Sequence, residues 1–220
     1  MVTDNSLTPP LLADEARTPN EQAAPLDADT LLQASRRVDW RFLLPDPNLG
    51  RVAYIGPARG PQVEALRLFS ASLTFVEASE RTGVSSAQHD VVVVSDATCA
   101  TLQWAAELLR PGGWLYVEAY GLFARHGPRH FGWPRFVHDY IVAIERCGFG
   151  AVEAYWHWPD FETCLEIIPL GNRAALLYAL ARRQSSASAR LKSALGRWLL
   201  RTGLLAQVIP CFSIVAHKQC

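Results

Sequence analysis

Runs of apolar residues and residues at helical spacing follow one another along the chain. The apolar run 52–55 is followed by Gly56 and Gly60, and apolar side chains then recur at helical spacing over residues 61–69. This order predicts a buried strand, a glycine turn and a helix. Glycine lets the main chain approach a ligand closely, and a helix N-terminus presents free N–H groups. The segment therefore predicts the first half of a nucleotide-binding α/β unit.

The same kind of pattern continues to the C-terminus. Four consecutive valines, 91–94, are typical of a parallel strand that is buried on both faces. The predicted strands are 52–55, 72–77, 90–96, 114–118, 149–156, 161–168 and 211–217. Helices are predicted from a cap at Asp29-Thr30 and over 61–69, 98–109, 134–147, 172–183 and 189–200. This alternation predicts a mostly parallel sheet with helices on both faces.

Composition limits the classes of protein. A chain of 220 residues, half of them hydrophobic, suits one domain, which we predict over residues 29–220, and residues 1–28 are predicted to be a disordered tail. Basic and acidic residues balance at 21 each, which argues against a nucleic-acid partner. No apolar run is long enough to span a membrane. Five scattered cysteines and no signal-peptide pattern favour the cytoplasm.

Several motifs together resemble the class I S-adenosylmethionine-dependent methyltransferases. Residues 108–118 are similar to that family's helix, Pro-Gly-Gly turn and fifth strand, and residues 212–218 to its terminal antiparallel strand. Residues 76–79 are similar to the end of the second strand, and 90–94 to the fourth. The resemblance implies a Rossmann-like α/β fold and S-adenosyl-L-methionine as the cofactor.

The sequence departs from the family pattern in two places. Tyr54 and Ala58 stand where the family usually has an acid and the second of three glycines, and an alanine at positive φ would be strained by ~1 kcal/mol or more. Only twelve residues separate Glu77 from Asp90, which leaves room for one crossover but not for a further strand. A trimmed sheet, without the family's third strand and with the second strand at or near an edge, is therefore expected.

The resemblance places the cofactor at the carboxyl ends of the first strands. The expected cofactor-binding residues are Gly56, Pro57, Ala58, Gly60, Glu77, Ser95 and Asp96. An acid at the end of the second strand accepts hydrogen bonds from both ribose hydroxyls in such folds, although Glu77 could equally be a solvated carboxylate. Asp96 has the alternative role of a helix N-cap.

Candidate bases for methyl transfer follow the fifth strand of the family pattern. They are His126, His130 and His138, and Arg125 or Arg129 could hold an anionic substrate, unless this is simply a solvated basic loop. A metal site is not expected, because Gly and Pro separate His126 from His130 and no third ligand is evident.

Three other segments have two interpretations each. The apolar stretch 39–45 is either a lid over the sheet or a wall of the cofactor cleft, and residues 156–160 either pack under a hairpin or line a substrate pocket. A basic cluster is either a solvated helix face or a site for an acidic partner or carrier; it comprises Arg182, Arg183, Arg190, Lys192, Arg197 and Arg201.

Two functions from different classes remain open. The first is a methyltransferase acting on a small-molecule or carrier-tethered biosynthetic intermediate. The second is a catalytically inactive protein of the same fold that acts as a binding or scaffolding partner, which Tyr54, Ala58 and the missing strand favour. Another nucleotide-binding α/β activity is a further alternative, and a dehydrogenase fits less well because of the Pro-Gly-Gly turn and the final strand.

Overall fold

One seven-stranded sheet organises the protein. The computed structural model describes residues 27–76, 87–95, 97–121, 136–182 and 187–219. The strand order is β2-β1-β3-β4-β7-β5-β6. Strands β2, β1, β3 and β4 pair in parallel, β7 is antiparallel to both of its neighbours, and β6 is antiparallel to β5. Five of the seven strands therefore point the same way, as the sequence predicts.

The elements alternate along the chain as a Rossmann-like fold requires. The strands are β1 Arg51–Ile55, β2 Ser72–Val76, β3 His89–Ser95, β4 Leu109–Tyr120, β5 Phe149–Trp158, β6 Glu166–Pro169 and β7 Cys211–Lys218. The helices are α1 Ala28–Arg37, α2 Pro61–Phe69, α3 Cys99–Leu108, α4 Val137–Arg146, α5 Arg173–Arg182, α6 Ala187–Arg201 and α7 Leu205–Val208, with a short 3₁₀ helix at Asp39–Leu43. None of the described helices is long and apolar enough to cross a lipid bilayer.

Two hydrophobic clusters cover the two faces of the sheet. The smaller joins Trp40 and the inner side of α2 to alternate residues of the strands, among them Tyr54 and Tyr116. The larger brings α3, α4 and α5 against the other face. Alternate residues of a strand point to opposite faces, so Tyr116 and Glu118 of β4 share the α2 face. Trp40 stacks on Tyr116 with ring centroids 3.8 Å apart, so the stretch 39–45 does cover the sheet.

Helix starts differ from the sequence prediction at two positions. Asp27, not Asp29-Thr30, caps α1, because its carboxylate accepts from the backbone N–H of Thr30 at 2.8 Å. The helix thus begins at Ala28, inside the segment predicted as a tail; residues 1–26 lie outside the described residues. Thr98 rather than Asp96 caps α3 through a capping box. The predicted cap at Asn172 is confirmed.

Two strand predictions are corrected. The Pro-Gly-Gly segment, expected to be a turn before the strand, lies inside β4, where the register with β3 shifts between Leu109 and Trp114. Positive φ at Gly112 accommodates this irregularity. The strand expected at 161–168 is only Glu166–Pro169, since the chain needs the preceding residues to return from β5.

Among the residues that the structure describes, the expected loss of the third strand is confirmed. Within the described residues, β2 lies at the edge of the sheet, and β1 is its single neighbour there. The chain leaves β2 at Val76 and enters β3 at His89 on the far side of β1. The chain thus continues from β1 to β2 on one side and to β3 on the other, so the strand order reverses between β1 and β3. In open α/β sheets such a switch point is where ligands bind, at the carboxyl ends of the strands.

Candidate functional site

The glycine turn lies at this switch point, between the end of β1 and the start of α2. Gly60 is the N-cap of α2 and has φ of +136°, a conformation that side-chain-bearing residues rarely adopt. A Cβ on Gly60 would meet no atom within 4 Å, so the space beside it is open. Pro57, Ala58 and Arg59 are exposed. The turn thus presents the main chain of residues 57–60 to solvent, whereas Pro61, the first residue of the nine-residue helix, has no N–H group.

The alanine at position 58 fits the turn without strain. Within the described residues, Ala87 and Ala151 are the only non-glycine residues with positive φ, so Ala58 has an ordinary backbone conformation. Its methyl group is on the exposed side of the turn. The substitution that the sequence flags as a departure from the family pattern is therefore sterically harmless in this backbone.

Tyr54 lies directly against the base of the turn. A Cβ at Gly56 would come within 2.7 Å of the Tyr54 hydroxyl oxygen and 2.9 Å of Ser95 Cβ, so glycine is needed there. The Tyr54 hydroxyl is 3.5 Å from Gln62 Oε1, at the outer limit of a hydrogen bond. Burial raises the pKa of Tyr54, and a hydrogen bond with Ser95 partly offsets that rise. The residue that replaces the family's acid is thus a neutral phenol that fills space beside Gly56.

A buried ion pair lies on the same face of the sheet. Arg37, the last residue of α1, donates two hydrogen bonds of 2.6 and 2.7 Å to the carboxylate of Glu118. Gln62 Nε2 donates to the same carboxylate at 3.0 Å, and the Tyr116 hydroxyl at 3.2 Å. We call these four residues, Arg37, Gln62, Tyr116 and Glu118, the Glu118 cluster. Its two charged side chains are 10% and 2% exposed.

The opposite charges of Arg37 and Glu118 offset the cost of burying each of them. Burial alone would lower the pKa of Arg37, but the charge of Glu118 and the hydrogen bonds to it raise that pKa above its ordinary value. The pKa of Tyr116 is well above its ordinary value because of complete burial and then the charge of Glu118, so the phenol remains a donor. The cluster joins α1, α2 and β4, and thereby anchors the C-terminal end of α1 to the carboxyl end of β4.

A chain of hydrogen bonds leads away from the Glu118 cluster toward β5 and β6. Ser213 Oγ interacts with Tyr116 and lies 2.7 Å from His157 Nε2, and the other ring nitrogen of His157 is 3.5 Å from Cys164 Sγ. Because Tyr116 donates to Glu118, its oxygen is left to accept from Ser213. Ser213 must then accept from His157 Nε2–H, which leaves His157 Nδ1 as an acceptor. The Cys164 thiol lies 3.5 Å from that nitrogen and donates to the Glu166 backbone oxygen, also at 3.5 Å. The donors of Tyr116, Ser213 and His157 therefore point toward Glu118.

His157 is a buried neutral imidazole. Burial, with the nearby positive charge of Arg37, lowers the pKa of His157 to about 3. The Phe161 ring packs against it with centroids 4.7 Å apart, and the Arg37 guanidinium lies 5.8 Å from that ring's centroid. Trp156 is buried as well. For these two residues of the stretch 156–160, packing beneath the strands is therefore the better of the two interpretations.

The structure brings together some of the residues predicted for the site. Gly56 lies against Ser95 at the carboxyl ends of β1 and β3, and Pro57, Ala58 and Gly60 follow Gly56 in the same turn. His138, by contrast, is exposed on α4, whose buried residues belong to the opposite face of the sheet from Glu118. Six other candidates lie outside the described residues: Glu77, Asp96, Arg125, His126, Arg129 and His130. Among the described residues, no group of three or more His, Cys, Asp or Glu could hold a metal ion.

The Glu118 cluster is not among the sites predicted from sequence. Its signal was Glu118 itself, an acid within the run 114–120, whose other members are apolar or aromatic. A buried carboxylate requires a cationic or hydrogen-bonding partner, so such a residue predicts one elsewhere in the chain. That partner, Arg37, lies 81 positions from Glu118 in the sequence, and no local pattern of residues points to it.

The strand order, the antiparallel β7 and the glycine turn before α2 define a Rossmann-like fold of the methyltransferase type, trimmed at the β2 edge. Comparison with protein-family models and with curated protein sequences finds no match. Among solved structures, the chain is similar to a Haemonchus contortus phosphoethanolamine N-methyltransferase in complex with S-adenosyl-L-methionine, at 15% identity and a TM-score of 0.46 over 87% of this chain. A SAM-dependent methyltransferase from Archaeoglobus fulgidus matches at 14% identity and a TM-score of 0.47, covering 87% of this chain and 100% of its own.

The chain spans about half the length of the Haemonchus contortus enzyme, 52% of which is covered. Identities this low do not carry residue roles from one protein to another. The contacts within this chain are therefore what bears on its chemistry.

Proposed function

We propose that this protein is an S-adenosylmethionine-dependent methyltransferase acting on a small-molecule or carrier-tethered biosynthetic intermediate. The observation that carries the proposal is the exposed glycine turn at the β1–β3 switch point, with open space beside Gly60. Ligands of open α/β sheets bind in such crevices. A φ of +136° at Gly60 is not explained by packing against the described residues, none of which has an atom within 4 Å of where its Cβ would be.

The chain offers suitable groups for the cofactor. Gly56, Pro57, Ala58 and Gly60 would present main chain to it, and Ser95 would face it from the end of β3. Glu77, which follows β2 directly, is proposed to accept hydrogen bonds from its ribose hydroxyls, and Asp96 to contact cofactor or acceptor. When bound, S-adenosylmethionine supplies an electrophilic methyl group. The protein's part is to hold the acceptor in line with that group and to exclude water.

A second candidate function is that of a catalytically inactive binding or scaffolding partner. The observation that favours it is Tyr54, whose neutral ring occupies the space against Gly56 where the family pattern has an acid. The nearby carboxylate of Glu118 does not replace that acid freely, because Arg37 already engages both of its oxygens. In this function a protein partner takes the place of the methyl acceptor.

For either function we propose the cytoplasm as the compartment. Four cysteines of the described residues are free thiols, of which Cys99 is exposed. Disulfides are rare in the reducing cytoplasm, where free thiols persist.

Isothermal titration of the full chain with S-adenosylmethionine and S-adenosylhomocysteine separates the two candidates. For the enzyme we expect micromolar binding, which Glu77→Ala weakens by about 1.5–3 kcal/mol, the usual value of hydrogen bonds to a charged group. Absence of binding up to millimolar cofactor would contradict the methyltransferase proposal and leave the scaffold, whose partner would then be sought by pull-down.

A pair of glycine variants tests whether the turn itself is the binding element. Gly60→Ala strains a positive-φ backbone by roughly 1–2 kcal/mol and should weaken cofactor binding by about tenfold. Gly148→Ala is the matched control, because Gly148 also has positive φ (+86°) and open space beside it but lies at the end of α4. Both variants should lose similar stability, and only Gly60→Ala should lose affinity. If the two variants bind the cofactor with equal affinity, cofactor binding does not depend on the turn.

A further inference from the structure

The part of the chain after Glu166 contains basic residues but no acidic residues. Eight of the 21 Lys and Arg residues, and none of the 21 Asp and Glu residues, follow Glu166 in the sequence. The net neutrality of the whole chain therefore conceals a separation of charge, with the excess of acids before Glu166 and the excess of bases after it. Four of those cations belong to α6.

The helix α6 has three different faces. Its inner face packs on α5, where Ser193 Oγ donates to the backbone oxygen of Leu180 at 2.6 Å and the missing side chain of Gly196 makes room for the Leu180 side chain. On the outer face Leu191, Leu195 and Trp198, at spacings of four and three, are 73%, 54% and 55% exposed. Residues at these spacings lie in one row along a helix. The outer face is thus an apolar row that the described part of the chain leaves exposed.

The cations of α6 border this row on both sides. At about 100° per residue, Arg190, Arg197 and Arg201 fall along one flank and Lys192 along the other. All four are exposed, and within the described part of the chain no ion pair joins any of them to a carboxylate. Arg182 on α5, in contrast, pairs with Glu166. The four members of the predicted basic cluster that belong to α6 therefore border an exposed apolar row, and Arg183 lies outside the described residues.

We infer that α6 is a docking surface for an anionic membrane, on which it lies parallel to the lipid surface. An apolar row of Leu and Trp between flanking Arg and Lys side chains is the pattern by which interfacial helices insert their apolar side chains among lipid tails while the cations meet acidic headgroups. A second copy of this chain is a poor occupant, because a symmetric contact would bring the same four cations together. Docking of this kind would bring the protein to acceptors that reside in or on a lipid bilayer.

The first test is co-sedimentation of the full chain with vesicles. Vesicles of phosphatidylcholine alone are compared with vesicles of equal parts phosphatidylcholine and phosphatidylglycerol, at low and at ~0.5 M salt. We expect binding to the acidic vesicles only, with loss at high salt and a blue shift of tryptophan fluorescence. Equal binding to both vesicle types, or no binding to the acidic ones, would overturn the inference.

Variants of exposed residues locate the surface without unfolding the protein. The triple change Arg190→Gln, Arg197→Gln and Arg201→Gln should weaken partitioning roughly a hundredfold, since each cation near an acidic surface contributes about fivefold. Trp198→Gln should weaken it by about tenfold or more. Arg146→Gln and Leu165→Gln are the controls, because Arg146 is exposed at the end of α4 and Leu165 just before β6, and they should leave partitioning unchanged. If the controls lose as much as the α6 variants, the surface is not α6.

A purified acidic acyl carrier protein, free of lipid, distinguishes the other class of anionic partner. Under the membrane inference it should neither retain the chain on a column nor compete with acidic vesicles. Retention that the triple α6 variant abolishes, together with absence of vesicle binding, would overturn the inference in favour of a carrier protein.

Discussion

Replacing Arg37 by methionine should destabilise the fold far more than the loss of a surface ion pair. The substitution removes the only cation bonded to Glu118 in the described part of the chain and leaves a carboxylate that is 2% exposed with Gln62 and Tyr116 as its remaining donors. Breaking a buried pair from one side typically costs 3–5 kcal/mol, because the partner charge stays buried without compensation. We therefore expect the free energy of unfolding to fall by about 3–5 kcal/mol.

The measurement is urea unfolding followed by circular dichroism, with thermal melts in parallel. For a domain of this size, a loss of about 3–5 kcal/mol corresponds to a fall in Tm of roughly 6–20 °C. Arg67→Met is the matched control, because Arg67 bonds Glu64 at 2.8 Å on the exposed surface of α2, where such a pair contributes about 0–1 kcal/mol.

The double variant Arg37→Met with Glu118→Gln distinguishes the cost of an unpaired buried charge from the cost of lost side-chain packing. A neutral amide at position 118 keeps an acceptor for Gln62 and Tyr116 without leaving a buried charge, so the double variant should be more stable than Arg37→Met alone. The reasoning is refuted if Arg37→Met costs no more than Arg67→Met, or if the second substitution restores no stability.

Two further predictions concern titration and thiol chemistry. Folded His157, with a pKa of about 3, stays neutral while the unfolded chain takes up its proton below the ordinary pKa near 6.5, so the free energy of unfolding should fall with pH through this range, by about 2 kcal/mol at pH 5. His157→Gln should flatten the slope between pH 7 and 5 in urea titrations, and an unchanged slope would assign it to other groups. Burial raises the pKa of Cys211 to about 12, so Ellman's reagent should modify this thiol only after unfolding, whereas exposed Cys99 reacts in the native protein. Cys99→Ser should remove one rapid equivalent and Cys211→Ser none; a rapid equivalent lost with Cys211 would contradict its burial.

The sequence predicted the sheet well because its strands are encoded locally. The valines 91–94 and the apolar run 52–55 have no polar alternation, which identifies central strands buried on both faces. The short interval between Glu77 and Asp90 predicted the trimmed edge through a length argument alone. Helix boundaries were predicted less accurately where two residues could serve as the N-cap, as Asp27 and Asp29 could at α1. Only the three-dimensional backbone decides which carboxylate reaches a free N–H.

The sequence could identify the contiguous part of the candidate site but not the contacts between residues that are distant in the chain. The glycine turn is contiguous, so its residues could be identified together, and Ser95 follows from the carboxyl end of β3. The Glu118 cluster joins residues up to 81 positions apart, and His157 meets Ser213 across 56. Pairing of this kind depends on strand register and on the position at which α1 packs, and no local pattern of residues specifies either.

The hydrogen-bond chain from His157 through Ser213 and Tyr116 to Glu118 has a direction. Because its donors all point toward the carboxylate, the negative charge of Glu118 selects one tautomer of His157 across three strands. Neutralising that carboxylate would free the two hydroxyl groups to reverse together. The charge of Glu118, beside the candidate cofactor turn, is thereby coupled to the tautomer of an imidazole on β5.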